Sequence, residues 1–262
     1  ARYLLLLGNE IDIPPLYNQS LQPSDDFYSY DGEIIYSDMV FDPPISTGRI
    51  PVNDPEQAKI VAEKIYKYMI NPTYGSWRSK IGLVADDENK TGYSRAELVH
   101  TIQSDKIYQN ISEHLNVTQL YGVNYESIEN NNSIAKPQMT SDLIDYINQG
   151  ASLINYTGHG SEIELGQEKI LSMDRDLNRI CNLGTECQEQ NKPAIWTVGT
   201  CSFGAYDQPD EIMSEKLLFN EYGAISLILA SRKINITNNK DFLANLFNNI
   251  KDFVLGNNNY RI

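Results

Sequence analysis

Short runs that are apolar at almost every position constrain this chain more than any other feature. They are "YLLLL" (Tyr3–Leu7), "IGLVA" (Ile81–Ala85), "ASLINY" (Ala151–Tyr156), "AIWTVGT" (Ala194–Thr200) and "AISLILA" (Ala224–Ala230). A strand with one wet face alternates apolar and polar residues. A run that does not alternate reads as a strand covered on both faces, as in a parallel sheet between helices. "VTQLYG" (Val117–Gly122) is a weaker sixth candidate.

Helix-period segments lie between these runs. In "DPEQAKIVAEKIYKYM", Asp54 is a natural N-cap and Pro55 fits the first helical position. Ile60, Val61, Ile65, Tyr68 and Met69 then recur at helical spacing. "TSDLIDYINQG" offers Thr140 or Ser141 as a cap and stops at Gly150. Asp210–Asn220 and Asp241–Leu255 complete the set. Alternating strands and helices imply parallel pairing with right-handed crossovers. The expected fold is α/β: one domain over residues 1–262, with a mainly parallel sheet and helices on both faces. Glu10 to Pro51 reads as an irregular excursion (about 9–52), and Ser127–Pro137 as a polar loop (about 124–139).

The formal charge is −14, from 35 acidic and 21 basic residues. This disfavours nucleic acid as a partner, since phosphate binding needs clustered Lys and Arg. No apolar stretch reaches the roughly 18 residues that span a bilayer. Tyr3–Leu7 is too short for a signal peptide and reads as a strand, so the chain looks like a mature fragment of a longer, secreted protein. Of the three cysteines, Cys181 and Cys187 bound "CNLGTEC" and could close a small disulfide loop in an oxidising compartment. That pairing leaves Cys201 alone.

In an open parallel sheet, functional groups gather beyond the carboxyl ends of the strands. "NYTGHGSE" places His159 after one strand, and "TVGTCSFG" places Cys201 after another. If the two strands are neighbours, ~4.8 Å apart, the side chains can form a thiol–imidazole pair. A cysteine attacks as thiolate, and an adjacent imidazole can take its proton or stabilise the anion. Gly158 and Gly160 allow a sharp turn that brings backbone N–H groups close to a substrate carbonyl. The N–H groups of Gly160 and Cys201 could form an oxyanion hole. His100, His114 and His159 all precede Cys201. Papain-like enzymes and α/β-hydrolases place the histidine after the nucleophile, so neither can be built on Cys201.

Histidine first and cysteine second, each after a strand, is the order of the caspase-like clan. "NYTGHGSE" and "TCSFGAYDQPD" resemble the catalytic segments of gingipain-type cysteine peptidases, in the branch that includes the type IX secretion sortase. "PSDDFYSYDG" (Pro23–Gly32), "STGRIPV" (Ser46–Val52), "LVADDEN" (Leu83–Asn89) and "YGAISLILASR" (Tyr222–Arg232) are similar to further segments of that family, in the same order. The resemblance implies a caspase-like three-layer sandwich, peptide-bond cleavage of protein or peptide substrates, and location outside the cell or on its surface. It implies His159 as catalytic histidine, Cys201 as nucleophile and Gly160 as second oxyanion donor. No cofactor is required for that chemistry, although some members bind calcium. The domains that flank the peptidase in the sortase are not in this chain, and "CNLGTEC" is not a family feature.

Other acidic residues admit two readings each. Asp86 or Asp87 in "ADDEN" could meet a cationic substrate or calcium, or simply form a polar turn. Asp25 and Asp26 could hold calcium or initiate a turn. Asp207 could shape a pocket for Arg or Lys before the scissile bond, and Asp210 is equally a helix cap. Sortase-like transpeptidation is an alternative outcome at the same site. A catalytically silent, protein-binding module of a surface or secretion assembly is the alternative from another class.

Overall fold

The computed structural model describes residues 2–18, 20–29, 45–87, 98–130, 133–181 and 191–257. Four of the five continuous apolar runs, together with the weaker sixth, form one parallel sheet. Its strands in chain order are β1 (Lys80–Ala85), β2 (Asn116–Tyr121), β3 (Leu153–Thr157), β4 (Ala194–Gly199) and β5 (Ala224–Leu229). Their spatial order is β5-β4-β3-β1-β2. The register aligns Ala85 with Tyr121 and with Thr157, and Thr157 with Gly199. Four strands therefore end on one level line, and the residues just beyond it share one edge.

Alternation along the strands supplies two cores. Val84, Ile154, Tyr156, Trp196 and Val198 face one side, under the helix Pro137–Gln149 and the shorter helix Met213–Phe219. Ile81, Leu83, Ala85 and Leu153 face the other, under the helices Val99–Ile111 and Ile236–Val254. Helices on both faces make the three layers of an α/β sandwich. Tyr156 and Trp196 are fully buried, and burial of such a side chain contributes about 1.5–3 kcal/mol. On the second face, near the carboxyl ends, the core turns polar. Thr197 Oγ1 donates to Asn155 Oδ1 (2.7 Å), and Asn155 Nδ2 donates to Thr157 Oγ1 (3.0 Å). These groups satisfy one another, which is the condition for burying them.

Local signals account for several boundaries. Asp54 accepts from Gln57 N (2.8 Å) and Pro55 opens the helix Pro55–Met69, as its sequence requires. Gly150 ends Pro137–Gln149 with φ 87°, a conformation that favours glycine.

Other expectations are corrected. Tyr3–Leu7 is a strand, but among the described residues it pairs with Ser46–Ile50 alone, in a separate two-stranded parallel sheet, and Tyr3, Leu5 and Leu7 are exposed. The third helix starts at Pro137, so Thr140 and Ser141 lie inside it. The helix Met213–Phe219 has Ile212 in the cap position, so Asp210 does not cap it. The last helix begins five residues earlier than its apolar pattern, at Ile236, because Asn235 caps it by accepting from Thr237 N (2.8 Å). Residues 128–130 and 133–135 pair as an antiparallel hairpin where a loop was expected. Cys187 lies outside the described residues, as do Asn89 and residues 30–44.

Candidate active site

His159 and Cys201 occupy matching places on neighbouring strands. β3 ends at Thr157 and β4 at Gly199, those two residues are register partners, and each candidate sits two residues further on. Both residues are half-buried. The turn that carries His159 is held tightly. Asp86 N donates to Thr157 O (3.0 Å), and His159 N donates to Asp86 Oδ2 (3.2 Å). The Tyr156 hydroxyl donates to His159 O (2.5 Å). A Cβ on Gly158 would come under 3.0 Å from both Asp86 Cβ and Tyr156 Oη, so only glycine passes there.

Gly160 packs against the residue before the cysteine: a Cβ on it would meet Thr200 Oγ1 and Cγ2 at 2.9 Å. It forms an isolated antiparallel bridge with Leu165. The bonds of that bridge are donated by Ser161 N to Glu164 O (2.9 Å) and by Gly166 N to His159 O (2.9 Å). The Gly160 N–H is not spent in it. On the other side, Ser202 has φ 55°, a strained value for a non-glycine residue. Ser202 N donates to Arg232 O (3.3 Å) and Gly204 N to Ala230 O (3.0 Å), which anchors the turn after Cys201 to the end of β5.

Buried acids lie behind the histidine turn. Asp86 and Glu168 are fully buried, Asp87 nearly so, and a ligand oxygen from each lies within 4.8 Å of the others. Lys136, also buried, places Nζ 3.0 Å from Asp87 Oδ2 and donates to Gly122 O (2.9 Å) and Tyr125 O (3.0 Å). Burial first, then the Asp86 and Asp87 charges, push the Glu168 carboxyl up to about 8. A calcium ion takes about six to eight oxygens. These three carboxylates supply part of that number, and an ammonium already lies against one of them.

The loop beyond Cys201 is fixed by two arginines. Arg232 donates through Nη1 and Nη2 to the two oxygens of Asp207 (2.8 and 2.6 Å), and Tyr17 Oη donates to Asp207 Oδ2 (3.0 Å). Arg49 donates to both Asp25 oxygens (2.7 Å each) and stacks 5.0 Å from the Tyr206 ring centre. Asp207 lies below the usual carboxylate range because these hydrogen bonds and the Arg232 charge outweigh its burial. The quoted segments around Asp25, Arg49, Asp207 and Arg232 thus meet in one cluster. Bidentate arginine–carboxylate pairs give it a defined geometry.

Of the residues singled out from sequence, His159, Gly160, Cys201 and Asp86 share one edge, whereas Asp207 faces Arg232. Cys181 lies against the last turn of the helix Pro137–Gln149, its N–H donating to Asn148 Oδ1 (2.9 Å). Its pairing with Cys187 falls outside the described residues. Sequence reasoning missed His100, Glu168 and Lys136. The His100 ring meets the His159 ring edge-on, 5.2 Å apart at 88°. His100 sits in the first turn of the helix that follows β1, and such a helix starts at the same sheet edge as the site.

Comparison with known proteins decides the family. Residues 1–261 match the family model described as "Peptidase family C25". The chain belongs to peptidase family C25. Gingipain R2 and gingipain R1 of Porphyromonas gingivalis are each 27% identical over 166 residues, or 63% of this chain. That match covers 20% and 15% of those two proteins. Among solved structures, the Arg-specific cysteine proteinase gingipain R superposes with TM-score 0.68 at 18% identity, over 94% of this chain and 53% of that one. A structure titled "Structure of Protease" superposes with TM-score 0.66, over 91% and 47%. The chain has the caspase-like α/β fold of gingipain R. It spans a fifth or less of the curated relatives named and about half of the solved chains. No helix among the described residues is long and apolar enough to cross a membrane.

Proposed function

We propose that this C25 domain hydrolyses peptide bonds with Cys201 as nucleophile and His159 as acid–base. The observation that carries the reading is their equal offset from a register pair on adjacent parallel strands. The Cys201 thiol passes its proton to the imidazole and sulfur attacks the peptide carbonyl. The Gly160 and Cys201 N–H groups donate to the oxyanion, and such donors are worth about 3–4 kcal/mol each in comparable enzymes. Protonated His159 gives its proton to the leaving amine, and an acyl-enzyme remains. Water then attacks the thioester, with the imidazole as base, and frees the thiol and the carboxylate. An amine in place of water would make the same site a transpeptidase. No cofactor enters these steps, and calcium has no part in them. A protein or peptide substrate outside the cell or on its surface follows from the same reading.

Selection of Arg or Lys before the scissile bond needs an accessible acid. Asp86 is buried and Asp207 is neutralised by Arg232. A cavity of about 480 Å³ adjoins the end of the nucleophile strand, and Val198, Gly199, Leu229, Asn239 and Phe242 line it with Lys233 as the one charge among its described residues. This lining supports an uncharged or acidic substrate side chain over a basic one.

Digestion of a mixed peptide pool, read by mass spectrometry beside the Cys201→Ala protein, tests both points. Cysteine-dependent cuts after residues other than Arg and Lys are expected. Cuts confined to Arg or Lys would refute the specificity, and an absence of cysteine-dependent cuts from folded protein would refute the peptidase reading.

A further inference from the structure

We propose that Asp86 and Glu168 share one proton across a buried carboxyl–carboxylate hydrogen bond, and that this pair positions the His159 turn. The inference rests on the peptidase reading for its consequence, but not for its structure. Asp86 is the residue after β1. It binds the turn at two points, through its own N–H to Thr157 O and by accepting His159 N–H at Oδ2. Glu168 reaches the same place from the hairpin that pairs Glu164–Leu165 with Leu171–Ser172. That hairpin also grips the turn directly, through the Gly160–Leu165 bridge and the bond from Gly166 N to His159 O. Two chain segments, the end of β1 and the hairpin that follows the turn, therefore converge on the backbone of residues 157–160.

Charge explains why one proton belongs here. Two carboxylates this close, both fully buried, cannot both stay ionised. The charged group facing the pair is Asp87, whose charge Lys136 balances, and the His159 backbone N–H meets Asp86 Oδ2. Lys136 is thus committed to Asp87, and a proton on Glu168 removes the repulsion between its carboxyl and that of Asp86, whose Oδ2 accepts His159 N–H. The raised affinity of Glu168 for a proton agrees with this arrangement. The sign follows: the folded carboxyl titrates above its unfolded value of 4.5, so its stabilisation is full below pH 4.5 and lost as pH rises through about 8. Above that pH the Glu168 charge repels Asp86 and loosens the turn. The pair acts through His159, so Asp86 and Glu168 are positioning residues.

Infrared difference spectroscopy of the 262-residue chain tests the proton. In the difference between wild type and Glu168→Gln at pH 7 a protonated-carboxyl band is expected that disappears above pH 9; Glu215, which burial pushes up to about 7, contributes equally to both proteins and cancels. A second readout uses the pH profile of peptide cleavage. Glutamine can still donate to Asp86 but cannot ionise, so Glu168→Gln is expected to keep its rate where the wild type falls, with the two diverging at least threefold at pH 9. Asp86→Ala is expected to lower kcat about tenfold with little change in KM. Absence of the carboxyl band at pH 7, or identical alkaline limbs in wild type and Glu168→Gln, would overturn the pair. A band without any peptide cleavage would retain the pair and sink the peptidase reading instead.

Discussion

Replacing Cys201 with alanine is expected to abolish peptide cleavage, by roughly 10⁴-fold or more, without unfolding the chain. The magnitude follows from removing the only atom that forms the acyl-enzyme, after which oxyanion donors alone remain. The fold should tolerate the change. Cys201 is half-buried, and alanine fits the strand-end turn that Ser202 and Gly204 anchor to β5. Replacing His159 with alanine is expected to cost nearly as much, and the double variant little more than either single one, because the two side chains act as a unit. Steady-state kinetics on a cleaved peptide, with circular dichroism as a folding control, checks both. Additive losses in the double variant would mean that His159 does not serve Cys201.

The largest stability effect is expected at Lys136. Methionine there keeps most of the side-chain volume but deletes the ammonium that balances Asp87 and satisfies two carbonyls. Breaking a buried ion pair from one side costs about 3–5 kcal/mol, because the partner charge stays behind in a poor solvent. For a chain of this size that is a fall in Tm of roughly 10 °C. Adding Asp87→Asn should recover part of the loss, since it removes the orphaned charge. Lys59→Met, on the exposed side of the helix Pro55–Met69, should change stability by no more than about 0.5 kcal/mol. Thermal melts of the four proteins decide the matter, and equal Tm values for Lys136→Met and Lys59→Met would refute the pair's role.

Much of the site was legible because it depends on local order. A glycine-flanked histidine after one apolar strand and a cysteine after another can be read from a few residues each. The sheet was legible for the same reason, since its strands are short, continuous and well separated. What stayed hidden depends on pairings across the chain. Nothing near Asp87 announces Lys136, and nothing near Asp86 announces Glu168. The helix Val99–Ile111 escaped because its inner face carries His100, Gln103 and Ser104 beside Ile107 and Ile111. A face so polar has no apolar stripe to detect. Tyr3–Leu7 misled in the opposite direction. Its leucines satisfy the pattern of a two-face burial, yet it joins a separate two-stranded sheet whose outer side leaves three of its five residues exposed.

The central claim is that His159 activates Cys201. The most direct test is the rate of iodoacetamide alkylation at each cysteine at pH 7, mapped by mass spectrometry in the wild type and in His159→Ala. The expected result is fast modification of Cys201, outpacing Cys181, that slows by about tenfold or more when the imidazole is removed. Equal, slow modification of Cys201 in both proteins would contradict the account.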